Sequence, residues 1–139
     1  MLETAEKFME ELNSRDWKIR VADETEDGKS HLLLGVTGEK AQVEIHFFFD
    51  QDGRSVSIRV FKLFVAPIDK RLEVMDAMNE ANLDFRWVKF FLDKDNWMNV
   101  QADAVIDSEN SGRVCFELMM RTVNIIDDVY PKFMRVIWA

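Results

Sequence analysis

Residues 42–60, QVEIHFFFDQDGRSVSIRV, decide the fold. Val43, Ile45, Phe47 and Phe49 alternate with Gln42, Glu44, His46 and Phe48, the period-two signature of a strand with one covered face. After the turn-forming run Asp50-Gln51-Asp52-Gly53, Val56, Ile58 and Val60 alternate again with Ser57 and Arg59. A four-residue loop from Asp50 to Gly53 predicts Phe47 opposite Val56 and Ile45 opposite Ile58 on the covered face. The same register sets Glu44 opposite Arg59 on the other face. A slip of one residue would mix the two faces, so this hairpin specifies an antiparallel sheet with a buried side.

A second hairpin is read downstream: Trp87–Asp93, a turn over Asp93–Asn96, then Trp97–Val105. With Asn96 in the left-handed conformation, a three-residue loop pairs Leu92 with Met98 and Phe90 with Val100. Upstream, Leu2, Ala5, Phe8, Met9 and Leu12 fall at helical spacing and predict a helix over residues 3–14. Trp17, Ile19 and Val21 alternate with Lys18 and Arg20, which predicts a half-buried strand over Trp17–Asp23. An acidic loop with Gly28 and a strand over His31–Val36 follow, turned at Thr37–Lys40. Pro67 ends the first hairpin, and Ile68–Leu83 reads as a helix with an apolar stripe of Ile68, Leu72 and Met75. The order α-β-β-β-β-α-β-β-α predicts an α+β fold of one domain over residues 1–139. An antiparallel sheet of five to six strands would pack with three helices.

The last segment, Arg113–Ala139, reads as a long helix of unusual greasiness. Its polar residues Arg113, Glu117, Arg121, Asn124, Asp128, Lys132 and Arg135 recur every three or four positions and form one narrow stripe. A surface helix ordinarily shows the reverse proportion, so cover on more than one side is expected, from its own sheet and from a second subunit. Pro131 predicts a kink or a fresh helical turn. Phe133, Ile137 and Trp138 predict a docked C-terminus.

Composition sets outer bounds. The chain of 139 residues is 47% hydrophobic and 32% charged, which excludes disorder. A net charge of −8 with dispersed Lys and Arg argues against nucleic acid and against an anionic membrane surface. One cysteine allows no internal disulfide. The acidic start MLETAEKFMEEL does not read as a signal peptide, and no apolar run approaches the roughly 20 residues that span a bilayer. A cytoplasmic protein without a membrane association is expected.

Three stretches carry a family resemblance. They are Phe47-Phe48-Phe49-Asp50-Gln51-Asp52-Gly53 with its following strand, Asn79-Glu80-Ala81-Asn82 followed by Val88-Lys89-Phe90-Phe91-Leu92-Asp93, and the ending from Asp127 through Tyr130-Pro131 to Trp138. In this order and spacing the chain resembles the YbjN family of bacterial sensory transduction regulators. The resemblance implies a fold like that of type III secretion chaperones, small α+β proteins that dimerise and hold partner proteins. Six strands are read here, one more than the five of that pattern. It implies signalling or regulation and carries over no catalytic residue.

No side-chain constellation points to chemistry. Asn79 and Asn82 read as helix C-terminal residues whose amides satisfy loop backbone. The runs Asp50–Gly53 and Asp93–Asn96 lack the Glu that a calcium loop requires, and read as turns. His31 and His46 have no zinc-type spacing around them. Cys115 sits among Leu118, Met119 and Thr122 and reads as a buried, inert thiol. No phosphate-cradling or nucleophile motif occurs, so neither an enzyme, a cofactor nor a metal is expected.

The anomaly is aromatic residues in positions meant for water. Phe48 and Phe61 fall on the polar side of the first hairpin, Phe91 and Trp97 on that of the second, with Trp87 nearby. If helices cover one sheet face only, these five form a protein-interaction patch; if helices cover both faces, they are core. The expected function is a non-enzymatic protein-binding module, a regulator or chaperone-like adaptor acting as a homodimer. The alternative is a small-molecule sensor with a pocket between the sheet and the Met-rich helices, lined by Met75, Met78, Met119 and Met120.

Overall fold

The two hairpins and the N-terminal strands join into one six-stranded antiparallel sheet in the computed structural model, which describes residues 1–139. The elements are α1 (Glu3–Ser14), β1 (Val21–Glu24), β2 (Ser30–Thr37), β3 (Gln42–Phe49), β4 (Ser55–Val65), a 3₁₀ turn (Ile68–Lys70), α2 (Arg71–Asp84), β5 (Lys89–Leu92), β6 (Trp97–Val105) and α3 (Ser111–Ile137). The strand order is β1-β2-β3-β4-β6-β5. Both the α+β class and the order of elements agree with the reading above.

All three helices lie on one face. The alternating residues Ile45, Phe47, Phe49, Val56, Ile58, Val100 and Ala102 are buried beneath them. Phe8 of α1 meets Phe47 at 4.6 Å between ring centroids, and Phe133 of α3 meets Phe64 at 5.0 Å and Phe90 at 5.7 Å. α1 and α3 approach closely at Gly112, where a Cβ would lie 3.2 Å from the Lys7 carbonyl oxygen. Beside it the Ser111 hydroxyl donates to the Thr4 carbonyl at 2.7 Å.

Between Ser111 and Ile137 the exposed residues are the seven of the polar stripe, Arg113, Glu117, Arg121, Asn124, Asp128, Lys132 and Arg135. The remainder of α3 is covered by α1, α2 and the sheet of the same chain. The second subunit expected over this helix is therefore not needed to explain its composition. α3 also continues without a break through Pro131, so no fresh turn begins there. Phe133 is docked as expected, but Trp138 is exposed.

Register in the second hairpin is as read: Leu92 pairs with Met98 and Phe90 with Val100, and Asn96 has φ 67°. In the first hairpin Phe47 pairs with Ile58 and Phe49 with Val56, two residues from expectation. The cause is the loop. Asp50 N–H donates to Ser55 O at 3.0 Å, which keeps Asp50 in the ladder and makes the loop Gln51–Arg54. Faces are preserved, but Arg59 now lies opposite His46, and Glu44 pairs instead with Arg20 at 2.7 Å. The strand expected over Trp17–Asp23 shrinks to Val21–Glu24, because Asp16 at φ 61° redirects the chain. Trp17 and Ile19 still pack on the core as irregular chain, Trp17 against Phe116.

One tie had no counterpart in the sequence reading. The Asp127 carboxylate of α3 accepts the backbone N–H groups of Glu39 (2.9 Å), Lys40 (2.9 Å) and Ala41 (3.2 Å), fixing the β2–β3 turn onto the helix. Desolvation works against its charge, but the three N–H donors outweigh it and hold the carboxyl below its usual range.

Candidate interaction surface

The sheet's second face carries no helix, and the alternation of the strands decides what it shows. His31 of β2 stands beside Phe48 of β3, which stands beside Ser57 of β4; His46 stands beside Leu33 and Arg59. Neighbours across antiparallel strands lie close enough for aromatic side chains to touch. Here they form a cluster. His31 stacks on Phe48 at 4.7 Å, and His46 meets Phe61 edge-on at 5.1 Å. Asp23, His31 and His46 make a chain of hydrogen bonds, Oδ1 to Nδ1 at 3.0 Å and Nε2 to Nδ1 at 2.8 Å. With both rings neutral, His31 donates to Asp23 and accepts from His46. Desolvation, and then the His31 charge, push the His46 pKa below its ordinary value, with Glu44 opposing weakly.

Phe61 reaches this face through a bulge. Val60 pairs with Val100 and Phe64 with Met98, so three residues of β4 oppose Asn99 alone. Lys62 takes φ 54°, and its N–H donates to Asn99 Oδ1 at 3.0 Å. The Asn99 amide donates in turn to Asp93 Oδ2 at 3.1 Å, so the buried side chain stands in for the missing ladder bonds. Asp93 also pins the β5–β6 loop, its other carboxylate oxygen accepting from Asp95 N–H at 2.9 Å and Trp97 N–H at 3.1 Å. Phe91 stands beside Asn99, Trp97 beside Val65, and the Lys62 ammonium lies 5.6 Å from the Trp97 ring.

Of the five aromatics named from sequence, Phe61 and Phe91 are exposed on this face, and Phe48 and Trp97 are half-buried there. Trp87 does not join them. It lies outside the sheet at φ 76°, exposed between the guanidinium groups of Arg86 (5.0 Å) and Arg121 (5.7 Å). It forms one wall of an open groove of about 330 Å³ that also contacts Val105, Val114 and Leu118. A positive φ is costly for so bulky a residue, and the two flanking cations and the groove account for what holds it.

The remaining candidates resolve into structure. Asn82 lies within α2 in ordinary helix; its amide donates to Phe90 O at 3.0 Å and accepts from Phe90 N–H at 2.9 Å, stapling edge strand β5. That role was legible only as backbone satisfaction, without the strand it serves. Asn79 is exposed on the outer side of α2. Asp50 and Asp52 accept N–H groups of their own turn. Cys115 is fully buried, and desolvation pushes its thiol up to about 12. Met119 is buried in the core while Met75 is exposed, and the principal grooves are lined by none of the four methionines. No helix is long and apolar enough to cross a membrane.

The family model for YbjN, described as "putative bacterial sensory transduction regulator", matches residues 4–134. No curated protein matches the chain.

Proposed function

The chain belongs to the YbjN family, and from that premise we propose that it is a non-enzymatic, protein-binding regulator of the bacterial cytoplasm, active as a homodimer. The family is described as one of sensory transduction regulators, which supports a regulatory reading. The observation that carries the reading is the helix-free sheet face, where Phe61 and Phe91 are exposed with Phe48 and Trp97 beside them. Aromatic side chains ringed by charge, here Arg20, Glu44, Arg59 and Asp103, are the composition of protein-docking surfaces. A partner settling on this face would cover the rings and leave the charged rim wet. A chaperone-like adaptor is the form of regulator that such a surface serves best. The pocket expected for a small-molecule sensor finds no support, since Met119 is packed and Met75 points to water.

The test is affinity capture with the wild type and a Phe61→Asp, Phe91→Asp variant. Both positions are exposed, so the variant should fold and lose the captured protein. Retention of the same partner in equal amount would remove the sheet face from the proposal.

A further inference from the structure

The chain's two histidines meet on the helix-free face, and the protons between them can be counted. Asp23 Oδ1 accepts from His31 Nδ1 at 3.0 Å, and His31 Nε2 lies 2.8 Å from His46 Nδ1. A neutral His31 commits its single ring proton to Asp23, so the proton between the rings belongs to His46 Nδ1. That leaves His46 Nε2 as a lone pair at the far end of the chain. The His46 ring centroid lies 5.1 Å from that of Phe61, met edge-on, and 6.0 Å from that of Phe48. One proton can enter this chain without breaking a bond. It adds at His46 Nε2; the bridging proton then passes from His46 Nδ1 to His31 Nε2, and the positive charge comes to rest on His31 against the Asp23 carboxylate. A second proton would point two N–H groups at each other across 2.8 Å. The cluster therefore has two states one proton apart, and the titration belongs to the pair.

We propose that the Asp23–His31–His46 chain is a one-proton switch on the docking face, which accepts an apolar partner surface when the pair is neutral and disfavours it when the pair is protonated. The inference rests on the sheet-face reading above and supplies its regulation. A partner that covers Phe48 and Phe61 also covers the imidazole between them. Covering a neutral His46 forfeits at most one weak hydrogen bond to water, whereas an imidazolium N–H held under rings without an acceptor loses its hydration. Burial in the free protein already acts in this direction: desolvation and then the His31 charge push the His46 pKa below its ordinary value. The neighbouring charges do not relieve it, because they are paired with one another. Glu44 of β3 holds Arg20 at 2.7 Å, and Arg59 of β4, across from His46, holds Asp103 of β6 at 3.0 Å. Asp27 and Lys29 lie 3.9 Å apart beside β2, and Glu24 of β1 holds the N-terminal amine. Of these acids only Asp23 is left to the histidines. By linkage, docking releases the proton, and affinity falls as pH drops through the midpoint of the free protein.

Nitrogen-15 spectra of the imidazoles test the switch itself, since the chain has no third histidine. At pH 8 both rings should be Nδ1–H tautomers, and between pH 8 and pH 5 the pair should take up one proton, both rings responding with a common midpoint. Fluorescence titration with the neutral dye Nile red tests the coupling in wild type, His46→Phe and Phe61→Asp. The part of the signal lost in Phe61→Asp at neutral pH belongs to the sheet face. Wild-type affinity for that part should weaken below the midpoint, approaching about tenfold per pH unit, and His46→Phe should bind with no pH dependence. An Nε2–H tautomer of His46 at pH 8 overturns the switch, as do two protons taken up within the window. So does a pH dependence of dye binding that is absent from wild type or persists in His46→Phe, and in each of these cases the sheet face remains a docking surface. Equal dye binding by Phe61→Asp and wild type overturns the sheet-face reading and the switch together.

Discussion

Replacing Asp127 with alanine removes the acceptor of three backbone N–H groups and should loosen the β2–β3 turn from α3. Hydrogen bonds to a charged group contribute about 1.5–3 kcal/mol each when water is excluded. Glu39 and Lys40 are exposed, so water takes over part of this, and about 1.5–2.5 kcal/mol in total is expected for the three bonds. Unfolding entropy of about 2.1 cal/mol/K per residue over 139 residues makes this a fall in Tm of about 5–9 °C. The sign of the pH dependence follows from the lowered pKa of Asp127. Its contribution is fully present above the unfolded value of 3.8 and disappears as pH falls through the lower folded value. The difference between wild type and Asp127→Ala should therefore shrink in acid.

Gly38 sharpens the test. A Cβ added there would lie 2.5 Å from both Asp127 carboxylate oxygens, although the backbone of Gly38 does not have a positive φ. Gly38→Ala alone must displace the carboxylate and forfeit the same bonds. In the Asp127→Ala background the obstruction is gone, and alanine should stabilise by about 0.4–1 kcal/mol through the unfolded chain. Urea denaturation of the four proteins of this cycle at neutral pH gives the coupling. Additivity within about 0.5 kcal/mol would refute the argument, since it would mean that Gly38 and Asp127 do not share one interaction. So would an Asp127→Ala effect of equal size in neutral and strongly acidic solution.

Two other outcomes follow from the burial of titratable groups. His46 has a folded pKa below 6.5, so its neutral form stabilises the fold, and stability should decline as pH drops from 6.5 through that lower value; a His46→Phe protein should show a flatter profile in denaturant melts over this window. Cys115, with its thiol pushed up to about 12, should stay unreactive to a thiol reagent such as DTNB in the native protein and react fully in guanidinium; rapid native labelling would contradict its packing.

Local rules were sufficient where a single residue controlled geometry. Asn96 is such a residue, and reading it as left-handed returned the register of the second hairpin. In the first hairpin the loop could close one residue earlier or later, and alternation cannot tell two registers that differ by two residues, because both keep the same faces. For α3 the polar stripe was correct residue by residue, but the expected second subunit was not required, since α1 supplies cover that the helix's own sequence cannot reveal. α2 shows the complementary gap: Ile68, Leu72 and Met75 have helical spacing, and periodicity does not say which side of a helix faces inward. Asp127 was invisible for a different reason. Its partners lie some 86–88 residues away in sequence, so no local pattern announces them. The five aromatics were found by their departure from alternation, and the bulge at Phe61–Leu63 separates the exposed Phe61 from its buried neighbour Phe64.

α2 is held on the sheet as much by polar ties as by apolar packing. Its inner face contributes only Val74 and Ala81 to the fully buried set, and polar tethers supply much of the rest. Asn82 binds the backbone of Phe90, Arg71 binds the Asn96 side chain, and Lys89 donates to the carbonyls of Asn82 and Phe85. Such bonds position a helix well but each contributes about 1 kcal/mol net, against roughly 1.5–3 kcal/mol for a buried leucine or isoleucine. Leu72 and Leu83, on its outer side, add nothing to that attachment and stay in water. On the homodimeric reading, wild-type Tm should rise with protein concentration, because a ligand that binds only the folded chain, a second copy included, stabilises by mass action; a Tm independent of concentration would refute the homodimer.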